Sequence, residues 1–494
     1  MKLKAIISQI KTSFKLVGKP DSIDQIIIDD IAIDSRLVKK NSIFFALPGK
    51  SKDGAEFIKD AVKNGAAVVV AAKCDQELEI PFIQSDDAFS LLVEVLKIFY
   101  APLPANIYAV TGTNGKTSVA EFIRQILQFL GKDAASIGTL GVITETQNPL
   151  SLQNSTLTTA DIVCLYKNLH SLKKAQVDDV AIEVSSIGLE QQRIAGLNIS
   201  VGAFTNFTQD HLDYHQSMEE YFRCKMLLFD RVLENGATAV LNADIAEYEK
   251  IKEICEKKNQ RIFSYGHKSN YFKLLDVKIN GENQEFSFEF CKKIYSGKLK
   301  ITGEFQVFNI LCALASVMAL HSLSQTDLEK LLQHFSEIKP AAGRMQKVAT
   351  LANDAQVFID FAHSPDALEN VLHLARKLTK ERVVLLFGCG GNRDAKKRPI
   401  MGKIACELAD LVIVTDDNPR LEDAATIRKQ ILFACATSKI IEIADRKVAI
   451  AKAISMLEPQ DILILAGKGH EKYQIIGDQK FDFDEEKIVK NAIK

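Results

Sequence analysis

The chain has no excess of either charge. Lys and Arg number 62 and Asp and Glu 63 among 494 residues, a formal net charge of −1. Whole-chain electrostatics therefore recruits neither nucleic acid nor an anionic membrane, so an anionic ligand must be held by local Lys, Arg and backbone N–H groups. Proline is scarce, at 11 residues, and mean hydropathy is +0.01, which argues against long disordered tracts. The nine cysteines contain no C-x-x-C pair, so nothing signals a zinc ribbon or a thioredoxin-type site. An odd, scattered count predicts reduced thiols and a cytoplasmic location. The first residues, MKLKAIISQIKTSF, have lysines without a sustained apolar core, so no signal peptide is expected. The longest uncharged helical stretch, about Val307–Ser324, contains Asn309 and His321 and reads as a buried core helix rather than a membrane span.

Hydrophobic residues make up 47% and charged residues 25%, the balance of a folded globular protein. The length exceeds what one core fills. Two joints divide it: Ala101-Pro102-Leu103-Pro104-Ala105 and Lys339-Pro340-Ala341-Ala342-Gly343. They predict domains over 1–101, 102–340 and 341–494.

The middle domain opens with a strand-like run, Ile107–Val110. Val119, Phe122, Ile123, Ile126, Leu127 and Leu130 then recur at helical spacing. Between them lies Thr111-Gly112-Thr113-Asn114-Gly115-Lys116-Thr117-Ser118. Glycines let backbone N–H groups approach phosphate, Lys116 can reach the outer phosphates, and the Thr117 hydroxyl can ligate Mg2+. A strict P-loop pattern wants Gly where Val110 stands. Strand, loop, G-K-T and helix nevertheless follow in the required order, predicting a P-loop-type ATPase domain that binds ATP or GTP.

In the last domain strand-like Val357–Ile359, Val383–Phe387, Leu411–Val414 and Ile462–Leu465 alternate with helical segments near 365–378, 400–409, 424–436 and 446–457. This predicts a Rossmann-like, doubly wound parallel sheet. The strands end in Asp360, Gly388-Cys389-Gly390-Gly391, Thr415-Asp416-Asp417 and Gly467-Lys468-Gly469, where open α/β sheets bind ligands. In the middle domain, Glu183 ends a buried strand beside the phosphate loop and suits a magnesium ligand. Asp210, His211, Asp213 and His215 are chemically capable of forming a metal cluster, although their spacing is a weak zinc signal.

The loop T-G-T-N-G-K-T resembles that of the Mur ligases and the related folylpolyglutamate synthases, which form amide bonds through an acyl phosphate. Further motifs appear in Mur ligase order: Asp34-Ser35-Arg36, Asn154–Ala160, Glu183–Arg193, Thr205–His215, Gly303–Asn309, Gly343-Arg344-Met345, Asp360–Leu368, Asp417-Asn418-Pro419-Arg420 and Gly467–Glu471. The resemblance covers nearly the whole chain and is nearest to the diaminopimelate-adding branch. It departs at Ala55, Ala160, Ile187, Gln306 and Gln346.

The resemblance implies three α/β domains: a smaller N-terminal α/β domain for the UDP substrate, a central ATPase domain with a mostly parallel sheet, and a C-terminal amino-acid domain. It implies a cytoplasmic, monomeric ligase using ATP and Mg2+ to join meso-diaminopimelate to UDP-N-acetylmuramoyl-L-alanyl-D-glutamate (UDP-MurNAc-dipeptide), with no nucleic acid or membrane insertion. Implied catalytic residues are Lys116, Glu183, His211 and Lys225. Thr117, Glu183, His211 and Lys225 belong to the metal site, the last as N6-carboxylysine. Gly112, Thr113, Asn114, Gly115, Lys116, Thr117, Asn309, Arg344 and Asp360 face ATP. Ser35, Thr158, Thr159, Ser185, Gln191 and Arg193 face the UDP substrate. Arg393, Asp417, Asn418, Pro419, Arg420, Gly467 and Glu471 face diaminopimelate. Chemically, Arg420 can grip the distal carboxylate of that amino acid and Glu471 its distal ammonium, whereas lysine lacks the carboxylate. A lysine-adding ligase, a folylpolyglutamate synthase and a catalytically silent nucleotide-binding protein stay open as alternatives.

Overall fold

Among the described residues three large sheets follow one another along the chain, and a two-stranded hairpin, Tyr473–Ile476 and Gln479–Asp482, comes after the last. The computed structural model describes residues 1–17, 20–49, 52–74, 78–153, 155, 157–280, 283–301, 303–433 and 439–493. Asn154 and Thr156 of the threonine motif, Cys435 and residues 434–436 of an expected helix lie outside them.

The first sheet has five strands in the order Lys15–Val17, Phe82–Gln84, Ala66–Ala71, Ser42–Phe45, Asp30–Ala32. All neighbours are parallel except the first pair. The helix Ala88–Phe99 buries Leu91, Leu92, Val95 and Leu96, one stripe at helical spacing. That stripe shares an apolar layer with Ala135, Val180 and Ile182 of the second sheet.

The second sheet has ten strands. Its centre holds β1 (Asn106–Thr111), β2 (Ala134–Gly138), β3 (Asp179–Glu183) and β4 (Val201–Phe204). These are mutually parallel in the order β4-β1-β3-β2. Strands buried on both faces read as continuous apolar runs, as Ile107–Val110 does. Antiparallel strands close both edges: Gly141–Thr144 beside β2, and the meander Phe272–Asn280, Asn283–Phe290, Lys293–Leu299 at the other. α1 (Lys116–Phe129) and α3 (Glu304–Leu320) pack together over one face, and α2 (Met218–Leu227) follows the loop after β4. The run read as a helix from about Val307 is α3; it is buried and ends before His321. Among the described residues no helix is long and apolar enough to cross a membrane.

The third sheet has six strands in the order Gln346–Thr350, β5 (Gln356–Asp360), β8 (Ile462–Ala466), β6 (Val383–Phe387), β7 (Leu411–Val414), Ile440–Glu442. Only the first is antiparallel to its neighbour. Alternation along β6 divides the core. Val383, Leu385 and Phe387 meet Leu368 and Leu372 of α4 (Pro365–Leu378), whereas Val384 and Leu386 meet Ala449, Ile450 and Ala453 behind. Period-two side chains thus bury both faces, the signature of a doubly wound sheet. The helix expected near 400–409 begins at Lys397, because Pro399 falls in its first turn, where a missing N–H costs no hydrogen bond. Cys164, Cys255, Cys312 and Cys389 are buried thiols whose pKa burial raises to about 11 for Cys164 and about 12 for the others. Cys406 departs from the expectation of reduced thiols: it is disulfide-bonded. Pairing depends on proximity in space, which scattered sequence positions do not reveal.

Candidate active site

β1 ends at Thr111 and α1 begins at Lys116, so four residues turn between strand and helix. Gly115 caps α1 in the left-handed region, at φ 86°. A Cβ there would approach Asn309 Oδ1 of α3 to 2.5 Å, and one on Gly112 would collide with the Thr205 hydroxyl. The loop is held by its neighbours: Thr113 N–H donates to Asn206 O at 2.9 Å, Asn114 N–H to Asn206 Oδ1 at 2.8 Å, and Thr205 Oγ1 to Asn114 O at 2.6 Å. Backbone free of side chains at a helix N-terminus is an anion cradle. Lys116 folds over it, donating from Nζ to Gly112 O at 3.0 Å and Thr113 O at 2.7 Å. Burial lowers its pKa, against the attraction of Glu183 and Asp210.

Glu183 ends β3, and its buried carboxylate accepts from Thr117 Oγ1 at 2.9 Å, Thr139 N–H at 2.9 Å and Thr139 Oγ1 at 3.1 Å. Gly138 makes room for it; any Cβ there would strike the carboxylate. From the third sheet, Arg344 Nη2 donates to Thr117 Oγ1 at 3.1 Å, and its guanidinium lies 4.5 Å from the Phe361 ring. Asp210 faces His211 Nε2 at 3.6 Å and His363 Nε2 at 3.7 Å. Burial alone would raise the Asp210 carboxyl, but the His363 hydrogen bond and the nearby positive charges hold it well below the usual range. Burial pushes His211 down to about 4. Lys225 is 1% exposed behind the loop, with Nζ 2.6 Å from Gly112 O and 4.4 Å from the Tyr221 ring centre. Burial first, then Lys116, pushes its amine well below the ordinary lysine range.

The residues assigned to the UDP substrate separate into two places. The Thr139 and Thr158 hydroxyl oxygens lie 3.3 Å apart, Ser185 N–H donates to Thr159 Oγ1 at 2.9 Å, and Arg193 donates to both Thr159 O (2.6 Å) and Gln191 Oε1 (2.6 Å). Ser35 lies apart in the first sheet's loops, its carbonyl accepting from Asn64 Nδ2 at 2.9 Å.

In the third sheet the loops after β6, β7 and β8 converge. Asn418 Nδ2 donates to Glu471 Oε2 at 2.8 Å, Arg420 Nη1 to Gly391 O at 2.8 Å, and a Cβ on Gly467 would come within 2.5 Å of Asp417 Oδ2. Burial, followed by Asp417, raises the Glu471 carboxyl; burial and Arg393 lower the Arg420 guanidinium.

Two cavities meet at Asn114, Gly115 and Arg344. The smaller, about 250 Å³, is lined by Lys116, Thr117, Thr158, Glu183, Ser185, His211, Arg393, Asp417, Asn418, Arg420, Gly467 and Glu471, among others. The larger, about 660 Å³, lies on the other side of the loop between α3 and α4, with Phe308, Asn309, Tyr265 and Asp360 on its walls. Asp360 accepts from Met345 N–H at 2.6 Å and Ala362 N–H at 2.7 Å, which fixes it, and burial raises its pKa. Ser35, Gly112, Thr159, Gln191, Arg193, Lys225 and Pro419 line neither cavity. Among the described residues no group of three or more His, Cys, Asp and Glu is arranged to hold a metal. His215 instead turns to Ser186 Oγ at 2.9 Å. The Thr117 and Glu183 oxygens suit a hard cation that draws the rest of its shell from phosphate and water, as Mg2+ does.

Sequence reasoning passed over Thr139, Asn206, Lys397 and Lys468. Lys397 is buried at the start of its helix and lines the smaller cavity. Lys468 sits within Gly467-Lys468-Gly469, and its flanking glycines were the available signal.

The chain matches the models described as "Mur ligase family, catalytic domain" over residues 27–96, "Mur ligase middle domain" over 110–317 and "Mur ligase, glutamate ligase domain" over 343–469. It is 40% identical over 465 residues to the UDP-N-acetylmuramoyl-L-alanyl-D-glutamate–2,6-diaminopimelate ligase of Rickettsia bellii, covering 94% of this chain and 95% of that one. It is 41% identical over 466 residues to the enzyme of the same name from Agrobacterium fabrum, covering 94% and 93%. A solved structure of a ligase of that name superposes with a TM-score of 0.64 at 29% identity, over 97% of both chains. MurF from Acinetobacter baumannii shares the fold with a TM-score of 0.69 at 17% identity, over 100% of this chain and 98% of that one.

Proposed function

This chain belongs to the Mur ligase family, and from that premise we propose that it joins meso-diaminopimelate to UDP-N-acetylmuramoyl-L-alanyl-D-glutamate at the expense of ATP, as a cytoplasmic monomer supplying peptidoglycan precursor. One observation carries the reading beyond the family. The phosphate loop and Glu183 of the second sheet share a cavity with Asp417, Asn418, Arg420 and Glu471 of the third. A phosphoryl donor and an amino acid would therefore meet in one cleft.

Adenosine fits the larger cavity, with the base beside Asn309 and the ribose at Asp360, and its phosphates pass Gly115 and Arg344 into the smaller. The UDP moiety falls to the first domain near Ser35; Thr158, Thr159, Ser185, Gln191 and Arg193 hold the muramoyl dipeptide. Its glutamyl carboxylate takes the γ-phosphoryl group, and Lys116 and Arg344 offset charge on the transferring oxygens, so catalysis is largely positioning plus electrostatics. The amine of diaminopimelate then attacks the acyl phosphate, forming the amide C–N bond and releasing phosphate. Arg393 and Arg420 take its distal carboxylate and Glu471 its distal ammonium, with Asp417, Asn418, Pro419 and Gly467 shaping the pocket.

Thr117, Glu183 and His211 would hold Mg2+, which neutralises phosphate charge when bound. Burial and Lys116 depress the pKa of the Lys225 amine, which favours the unprotonated form that attacks CO2, so Lys225 suits carbamylation. The product would place an anion beside Lys116. Phosphate release measured with ATP, the UDP-dipeptide and either amine tests the reading. Turnover with diaminopimelate and little with lysine is expected. Lysine-only turnover would overturn the Arg420 assignment, and no turnover with either would favour a silent nucleotide-binding protein.

A further inference from the structure

Lys468 is fully buried and lines neither cavity, yet it touches the residues that do. Its Nζ donates to Asn418 Oδ1 at 2.9 Å and to Tyr473 O at 2.7 Å. The same nitrogen lies 3.9 Å from Asp417 Oδ1 and 3.8 Å from Glu471 Oε2. Asn418 is thereby fixed in one orientation. Its oxygen accepts from Lys468 and from Ile475 N–H at 2.9 Å, so its Nδ2 must point the other way, to Glu471 at 2.8 Å.

The backbone is shaped to put the lysine there. Gly467 and Gly469 flank it at φ 111° and 57°. A Cβ on Gly469 would lie 2.7 Å from the Phe361 Cβ, and one on Gly467 would crowd Asp417. Only this kinked glycine pair lets the chain turn tightly after β8 and drive the intervening side chain beneath the Asp417–Arg420 loop. A buried ammonium is costly unless paired and fully hydrogen-bonded, and here two carboxylates and two carbonyl oxygens surround it.

We propose that Lys468 is a positioning residue for amino-acid selection: through Asn418 it aims the Glu471 carboxylate at the distal ammonium of the incoming amino acid. The inference rests on the diaminopimelate reading of this pocket. It makes a signature that general damage does not. Three amines separate the contacts: diaminopimelate has both distal groups, 2-aminopimelate lacks the distal ammonium, and lysine lacks the distal carboxylate. If Lys468 acts through Glu471, its loss erases recognition of the ammonium only.

The test measures kcat/KM for each amine, or inhibition constants for those turned over poorly, in wild type, Lys468→Met and the polar Lys468→Gln, with Glu471→Gln as the reference. The preference for diaminopimelate over 2-aminopimelate is expected to fall roughly tenfold in both Lys468 variants, the scale of a charge-assisted hydrogen bond. The preference over lysine should stay, and adding either Lys468 change to Glu471→Gln should move the first ratio little further. Both ratios unchanged, or both falling together, would overturn the positioning role. A wild type inactive with diaminopimelate would instead overturn the ligase reading beneath it. If Lys468→Met does not fold, the Lys468→Gln ratios decide alone; should neither fold, the residue is structural and the proposal fails.

Discussion

Gln125 on α1 and the backbone of Lys339 hold each other by a pair of hydrogen bonds, Nε2 to Lys339 O at 3.0 Å and Lys339 N–H to Oε1 at 2.9 Å. Lys339 begins the Pro340-Ala341-Ala342 segment that leads to Arg344, the residue bonded to Thr117. Gln125 is therefore the pin between the phosphate-loop helix and the segment that carries the third sheet. Gln125→Ala removes both bonds at a buried position and leaves an amide N–H and a carbonyl without those partners. Each bond is worth about 1 kcal/mol net, and Lys339 is an exposed residue whose freed groups can turn to water. The free energy of local opening at Lys339 should then fall by about 1–2 kcal/mol, which accelerates amide exchange there by about 5- to 30-fold. Hydrogen exchange read by mass spectrometry over residues 334–345, with the β1 segment as internal control, measures this. KM for ATP should rise as Arg344 loses its fixed placement. Unchanged exchange at Lys339, or equal acceleration in β1, would refute the pin.

Arg420→Ala should lower kcat/KM for diaminopimelate roughly 10- to 100-fold, the scale of charge-assisted bonds, while lysine is nearly unaffected; equal losses would mean the guanidinium does not read the distal carboxylate. Glu183→Gln should move the Mg2+ midpoint of phosphate release upward, and an unmoved midpoint would remove Glu183 from the metal site. Asn114 Nδ2 donates to Asp366 Oδ2 at 2.7 Å, tying the phosphate loop to α4; Asp366→Ala should raise KM for ATP by roughly fivefold, the equivalent of ~1 kcal/mol, and an unchanged KM would show the tie to be incidental. Burial pushes His211 and, with Arg344, His470 from 6.5 to about 4. Between those values the unfolded chain binds more protons than the folded one, so stability falls as pH falls. Thermal unfolding from pH 7 to 4.5 should show that slope, and it should be shallower in His470→Gln; an identical slope in the variant would exclude His470 as a contributor.

What the sequence disclosed was periodic or punctuated. β6 and β7 lie where their apolar runs predict, because strands buried on both faces write themselves as unbroken Val, Leu and Ile. The phosphate loop was legible from its glycines, and the strand-end polar motifs from the rule that α/β sheets bind ligands there. The meander Phe272–Asn280, Asn283–Phe290, Lys293–Leu299 escaped notice, because its strands bury one face only and alternate Phe and Tyr with Lys, Glu and Ser, so no unbroken apolar run marks them. Contacts set by tertiary placement were invisible. Thr139 meets Glu183 across 44 positions, Gln125 meets Lys339 across 214, and Asn114 meets Asp366 across 252. No local pattern encodes such pairs. Lys468 is intermediate: the glycines on either side of it were visible, but its burial beneath Asn418 was not.

The central claim is that an acyl phosphate links ATP to the amide bond, and isotope transfer tests it most directly. The UDP-dipeptide is prepared with ¹⁸O in the glutamyl carboxylate and turned over with ATP and diaminopimelate, and the released phosphate is analysed by mass. Phosphorylation of that carboxylate predicts one ¹⁸O carried into each phosphate. Unlabelled phosphate accompanying amide formation would contradict the account.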